Sequence, residues 1–409
     1  MSGAASSLRS ATADLAELRR VFRPVFDKVA DGNLEREKGR VFPFEQVRWL
    51  VDAGFSTVRV PREFGGHGAS LRQTFLLLRD LGAADPNVAH VWRNHLAFVE
   101  DRLNAPRSAA TDRWLERFKD GEFVGGGWTE ANNGTYADIK TKLTPHEDHW
   151  LVSGAKYYAT GSLYADWLDV LAVNPEGAPT TALVRRDQPG VVLTDDWRGF
   201  GQKTTASGSA TYDAARVEPE NVFPATERFA YQGLFYQTSL LAILAGITQA
   251  TLRDGVAALK ARKRNYGHAL AETAAQDPQL LQVIGKLSAL AFGAEAALAA
   301  SAATLDDIAD AHRAGDPDAV GRALLAGNVA TNQAQLVIIS AALEATTLVF
   351  DALGSSGVSE DLLLDRHWRN ARTLASHNPR VYKERLLGDF HVNDANPALV
   401  YKFGAGQSE

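Results

Sequence analysis

Beyond Pro224 the chain carries three Ala- and Leu-rich segments, residues 234–264, 278–303 and 317–353, with apolar positions at helical spacing. Helices of roughly thirty residues run about 45 Å at 1.5 Å per residue. Such lengths are buried mainly against one another, so this third of the chain reads as a bundle. Its starts and stops are explicit. Asp277-Pro278 and Asp316-Pro317 each put a capping side chain before a proline in the first helical position, and Gly354 ends the third segment. The Ala-rich faces allow close helix approach, which also suits a homo-oligomer built through the bundle.

Ahead of the bundle, two blocks of different character follow one another. From Thr12 to Leu103 the period is helical: Pro43 opens a segment with Phe44, Val47 and Leu50 on one face, and Gly54 stops it. Ser70 with Gln73 forms a capping box, and Asp85-Pro86 starts a helix through Ala89, Trp92 and Leu96. Near Gly121 the pattern changes to short β-type runs at 122–125, 149–153, 168–173, 181–184, 190–193 and 209–217. These predict a small antiparallel barrel or sandwich. The expected domains are therefore residues 1–121, helical; 122–225, β; and 226–409, helical bundle.

Several function classes are disfavoured by composition. Asp plus Glu outnumber Lys plus Arg by 49 to 43 and the pI is near 6.0, so there is no basic footprint for nucleic acid. With no cysteine, disulfides, thiolate metal sites and cysteine nucleophiles are excluded, which suits a reducing cytoplasm. The N-terminal segment lacks an apolar signal core, and no stretch reaches about 18 uninterrupted apolar residues; a soluble, cytoplasmic protein without a membrane span is expected. His90 and His95 are five apart, off the i, i+4 spacing of helical metal pairs, so no metal is expected. Gly125-Gly126-Gly127 leads into Trp128-Thr129-Glu130 and not into an apolar helix, which rules out a dinucleotide phosphate turn.

Two segments mix aromatic faces with hydrogen-bonding groups, residues 128–134 and 157–162 (YYATGS). A flat heteroaromatic cofactor is held by such mixtures, although solvated hairpin turns account for each segment equally well. Arg366, Arg369 and Arg372 form a cationic cluster, readable as a solvated helix face or as guanidinium forks for phosphate.

The order helical block, β block, bundle, together with PREFGGHG at 61–68, WTE at 128–130, KYYATGS at 156–162 and GQKTTASGSATYDAARVEPENV at 201–222, resembles the acyl-CoA dehydrogenase superfamily over nearly the whole chain. The resemblance implies an acyl-CoA dehydrogenase-like fold: an N-terminal α-helical domain, a middle antiparallel β-barrel and a C-terminal long-helix bundle of four-helix type. Dehydrogenation needs a carboxylate to remove the proton alpha to a thioester. Where the family keeps that glutamate this chain reads Ser376-His377-Asn378-Pro379. At the alternative position it has Tyr236, with no acid from Tyr231 to Arg253. SHNP followed by YKERLLGDF resembles the superfamily's monooxygenase branch, the group of dibenzothiophene monooxygenase, alkyl-sulfone monooxygenase and N-oxygenases.

That branch implies reduced FMN, with FAD possible, supplied by a separate NAD(P)H-dependent reductase, and dioxygen as co-substrate reacting through a C4a-hydroperoxyflavin. It also implies a homotetramer. On this reading His377 and His95 flank the flavin, with Ser162 as a further catalytic contact. Trp128, Asn132, Thr160, Ser162, Trp197 and Ser207 hold the cofactor, and Arg264 and Arg369 its phosphate. Trp92, Phe98 and Phe235 line an apolar substrate pocket. The chain departs from the dibenzothiophene enzyme at Leu374 and Val99, where that enzyme has histidine and tyrosine, and at Asn378, where it has aspartate. The oxygenated atom, sulfur, nitrogen or aromatic carbon, is left open. So are two other readings: an acyl-CoA dehydrogenase with a relocated base, which would carry tightly bound FAD and respond to acyl-CoA, and a flavin-binding protein without turnover.

Overall fold

Local capping chemistry places the N-terminal helices. In the computed structural model, which describes residues 14–130 and 139–398, these are α1 (Leu15–Ala30), α2 (Asn33–Gly39), α3 (Phe44–Asp52), α4 (Leu71–Ala84), α5 (Pro86–Asn104) and α6 (Ala109–Lys119). Ser70 Oγ accepts from Gln73 N, and Gln73 Oε1 accepts from Ser70 N, completing the capping box. Asp85 accepts from the amides of Asn87 and Val88 at the start of α5. Orphan amides at both helix starts are thereby satisfied.

The middle of the chain forms one sheet from β1 (Val124–Gly127), β2 (Lys142–His146), β3 (His149–Lys156), β4 (Trp167–Val173), β5 (Pro179–Arg185), β6 (Val191–Thr194), β7 (Ser209–Val217) and β8 (Val222–Pro224). The order is β6-β7-β3-β2-β4-β5-β8, with β1 beside β4. The pairing is antiparallel as expected except at β4: β1 pairs β4 in parallel, Val124 opposite Trp167, and β2 meets β4 in parallel at Lys142 and Val173. Between β1 and β4 the chain makes the antiparallel β2–β3 hairpin and a long connection. It re-enters from the same end, and parallel pairing follows. Strand β2 has four of five residues exposed and contains Pro145, so it lacks the apolar alternation that reveals a strand.

The bundle comprises α7 (Gln232–Ala261), α8 (Pro278–Ala314) and α9 (Pro317–Leu353), followed by the shorter α10 (Asp365–Ala375) and α11 (Val381–Asn393). Asp277 and Asp316 cap α8 and α9 as their sequences imply. Helix α8 continues past residue 303 to Ala314, where Gly315 at φ 69° takes the left-handed position that glycine adopts without cost. By length and apolar composition α7, α8 and the α9 region could each cross a membrane, a property that a search for uninterrupted apolar runs passes over. The apolar window of α7 is two-thirds buried, whereas that of α8 is only 22% buried. Helix α8 therefore turns much of its apolar surface outward, with Phe292 76% exposed.

A main core joins the domains through Phe22, Phe55, Phe75, Trp92, Leu168, Phe235 and Leu241. A buried ionic cluster adds direction to this contact. Arg228 bridges Asp101 of α5 at 3.0 Å and Asp169 of β4 at 2.5 Å, and also donates to Thr181 Oγ1 of β5. It thus holds helix and sheet in one register.

Candidate functional site

Helix α5 lies against the sheet, and its face toward β1 is shaped by glycine. A Cβ at Gly126 would stand 2.3 Å from Asn94 Nδ2, so only glycine lets the strand approach this closely. Asn94 Nδ2 donates to Thr160 O at 2.9 Å, and Gly126 N donates to the same carbonyl. Behind that loop Thr160 Oγ1 lies 2.8 Å from Ser207 Oγ, and Ser207 Oγ lies 2.7 Å from Thr205 Oγ1. Ser162 Oγ donates to Ala206 O. Thr160 and Ser207, both singled out in the sequence, thus share one buried hydroxyl cluster, and Ser162 binds the backbone beside it at Ala206.

Trp128 stands nearby, half-buried, with Nε1 donating to Asp169 Oδ2 at 3.0 Å. Its ring centroid is 6.4 Å from that of Tyr236, whose other neighbour is the Arg93 guanidinium, 4.4 Å from the ring centre. Trp197 packs against Tyr158 at 5.8 Å and donates to Gly201 O. Tyr158 has φ 61° and is half-exposed. A bulky side chain in the left-handed region is held there only by its surroundings, and such strain concentrates at binding sites. Asn132 lies outside the described residues.

The histidine facing His377 is His90. Their ring centroids are 6.3 Å apart, joining α5 to the turn between α10 and α11. His95, expected in this role, sits in the core with both nitrogens occupied: Nε2 donates to Ser56 O at 3.0 Å and Nδ1 accepts from Val124 N at 3.2 Å. Its ring stacks on Phe123 at 4.8 Å. Residues five apart on a helix point about 140° away from each other, so His90 and His95 cannot share one face. With His90 at the seam, the position one turn on is Asn94, not Val99.

Helix phase corrects the pocket residues in the same way. Trp92 packs on Phe55, His95 and Phe123, Phe98 on Trp114 and Phe118, and Phe235 on Phe75 and Phe229; each is at most 1% exposed. They are core. Their neighbours Arg93 and Tyr236 face the seam instead. Arg369, a candidate phosphate contact, is engaged by Glu37 and Asp365, both at 2.8 Å. Arg264 is exposed and lines a separate cavity of about 600 Å³ with Arg262, Lys263 and Tyr266, which shares no residue with the histidine seam.

The surroundings of His90 and His377 favour the uncharged imidazole. Desolvation lowers both pKa values, and the positive charge of Arg93 acts in the same direction on each. His377 itself is exposed, at the end of the seam where His90 is buried. Asn378 Nδ2 donates to Gln237 Oε1 of α7 at 2.5 Å, and Gln335 of α9 donates to Asn378 O, pinning the SHNP turn to two bundle helices. None of the groups acting on either ring is a carboxylate. His90 Nε2 is buried with no hydrogen-bond partner among the described residues. No group of three or more metal-ligating side chains occurs among those residues.

Known proteins share this fold. Residues 12–122 match the acyl-CoA dehydrogenase N-terminal domain and residues 239–380 the acyl-CoA dehydrogenase C-terminal domain. Dibenzothiophene monooxygenase of Mycolicibacterium goodii is 26% identical over 89% of this chain and 91% of its own length. The probable FMNH2-dependent monooxygenase SfnC of Pseudomonas putida is 27% identical over 92% of this chain and 95% of its own. The crystal structure of FMN-bound TdsC from Paenibacillus sp. A11-2 superposes with a TM-score of 0.83 at 25% identity, covering 94% of this chain and all of that one. Sequence and fold together show that the chain belongs to the acyl-CoA dehydrogenase family, in its flavin-dependent monooxygenase branch.

Proposed function

We propose that this protein is the oxygenase of a two-component system, taking reduced FMN from a separate NAD(P)H-dependent reductase and placing one atom of dioxygen on a small organosulfur, amine or aromatic substrate. Reduced FMN, when bound, supplies the electrons that activate dioxygen. The residues fit such a ring: an indole at Trp128, hydroxyls at Thr160, Ser162 and Ser207, and the unpartnered Nε2 of His90. The observation that carries the reading is the pair of imidazoles, His90 and His377, 6.3 Å apart with no carboxylate acting on either ring. A neutral imidazole can take up or deliver a proton without placing negative charge beside a developing oxyanion. Arg93, which acts electrostatically on both rings, packs on Tyr236, and Tyr236 meets Trp128, so these side chains join the histidines to the cofactor-side residues.

Assembly as a homotetramer in the cytoplasm is part of the same reading. It is supported by the exposed apolar residues Leu281 and Phe292 of α8, which need a partner surface, and by the lack of cysteine. A role for Arg264 toward the flavin phosphate then falls to a neighbouring copy, because within one chain its cavity is separate from the seam.

The test mixes the protein anaerobically with reduced FMN, admits ¹⁸O₂ with a panel of organosulfur compounds and amines, and follows flavin reoxidation by stopped-flow and product by mass spectrometry. One ¹⁸O atom per product is expected, with a loss of about 10²-fold or more in His377→Ala, the size typical of a lost proton-transfer group. Reoxidation at the protein-free rate together with electron-acceptor reduction by acyl-CoA would refute it and favour a dehydrogenase.

A further inference from the structure

Four polar side chains lead from Arg369 to His90, and each fixes the next. Arg369 donates to Glu37 Oε1 at 2.8 Å. Glu37 Oε2 receives the amide of Asn87 at 3.1 Å and that of Asn370 at 3.4 Å. A carboxylate only accepts, so Asn370 must present its NH₂ to Glu37 and its oxygen to Gln202. That oxygen accepts from Gln202 N at 2.6 Å and from Gln202 Nε2 at 3.2 Å. With its NH₂ so engaged, Gln202 presents Oε1 to His90 Nδ1 at 3.0 Å. An amide oxygen cannot donate, so the proton between them belongs to His90 Nδ1, and Nε2 is left with its lone pair.

The backbone supports the same assignment. Gln202 is 1% exposed and adopts φ 53°, a left-handed conformation that a long side chain takes only when its surroundings impose it. Asn370 Oδ1 holds its N–H, and Thr205 Oγ1 donates to its carbonyl at 2.9 Å. Thr205 also joins the Thr160–Ser207 hydroxyl cluster, so one loop orients both His90 and that cluster. Neither Gln202 nor Asn370 ionises, so the chain has no means of carrying protons outward; it sets orientation. The charged and titratable groups acting on the ring are Arg93, three residues on along α5, and His377 from the facing turn.

We infer that Gln202 is a positioning residue: it locks His90 as the neutral Nδ1–H tautomer, leaving the buried Nε2 lone pair available beside His377 to accept a proton from a bound molecule. The importance of that lone pair rests on the monooxygenase reading, whereas the tautomer itself is measurable without it.

The test uses flavin-free, full-length protein labelled with ¹⁵N-histidine. Long-range ¹H–¹⁵N spectra report which ring nitrogen carries the proton, and the His90 signals are those lost in His90→Gln. Wild type is expected to show protonated Nδ1 and bare Nε2. Gln202→Leu removes the acceptor, and the Nε2–H form grows in; Gln202→Glu restores an acceptor and keeps Nδ1–H. Should Gln202→Leu not fold, Glu37→Gln scrambles the order from the far end, without touching the ring, and is read by the same spectrum. In turnover with reduced FMN, Gln202→Leu loses about tenfold or more in kcat with KM held within about twofold, and Gln202→Glu recovers most of the loss. A wild-type ring protonated at Nε2, or a tautomer unmoved in both Gln202→Leu and Glu37→Gln, overturns the inference. A tautomer that responds as expected in a protein that oxygenates nothing leaves the positioning intact and removes the monooxygenase reading.

Discussion

Replacing Arg228 with methionine tests how sheet, helix and site are held together. The Arg228, Asp101 and Asp169 side chains are 3%, 1% and 4% exposed, so the substitution leaves buried carboxylates with fewer counter-charges. Asp101 keeps Arg102 at 2.5 Å and the amide of Phe229. Among the described residues, Asp169 keeps the Trp128 indole as its side-chain donor. Breaking one buried pair costs about 3–5 kcal/mol, and since Asp101 remains paired, one such loss is expected, not two. The sign of the pH dependence follows from Asp169. Burial raises its pKa and Arg228 opposes the rise; without Arg228 the folded-state pKa climbs further. A carboxyl whose folded pKa is raised destabilises the fold above its unfolded pKa, near 3.8, and that penalty shrinks as pH falls toward this value. Urea unfolding of Arg228→Met should therefore show the full deficit at pH 7 and a smaller one at pH 5, and adding Asp169→Asn should recover most of it. A pH-independent deficit below about 1 kcal/mol would refute the argument.

Two further outcomes follow from buried polar contacts. Asp306 of α8 accepts from Ser70 Oγ, Leu71 N and Arg72 N at the start of α4, so Asp306→Ala should destabilise the protein by about 1–2 kcal/mol in urea unfolding, the scale of a lost helix cap. His95 has its pKa lowered from 6.5 to about 4 by burial. Above 6.5 it is neutral in both states, whereas between 6.5 and 4 the unfolded chain gains a proton that the folded chain refuses. Stability should fall with pH across that window, with a shallower slope in His95→Gln.

Much of the architecture was legible from short-range chemistry. Asp85-Pro86, Asp277-Pro278, Asp316-Pro317 and the Ser70–Gln73 box start helices because a side chain satisfies amides two or three residues away, and such contacts are written in adjacent letters. The bundle was legible because its apolar period runs for many turns, and β7 because its apolar and polar residues alternate. Strand β2 was hidden although its main partner is the adjacent β3: it is short, contains Pro145 and leaves most of its residues exposed, so no apolar alternation marks it.

The site divides along the same line. Sequence alone determined the chemical inventory: a histidine in the SHNP turn, no acid from Tyr231 to Arg253, hydroxyls at Thr160, Ser162 and Ser207, and no cysteine. Only the tertiary structure decided which members of that inventory meet. Placing His90 at the seam and His95 in the core, Tyr236 outward and Phe235 inward, and Arg369 on Glu37 required the rotational phase of each helix against its neighbours. That phase is set by packing between segments far apart in the chain, and a difference of one residue turns a side chain by about 100°.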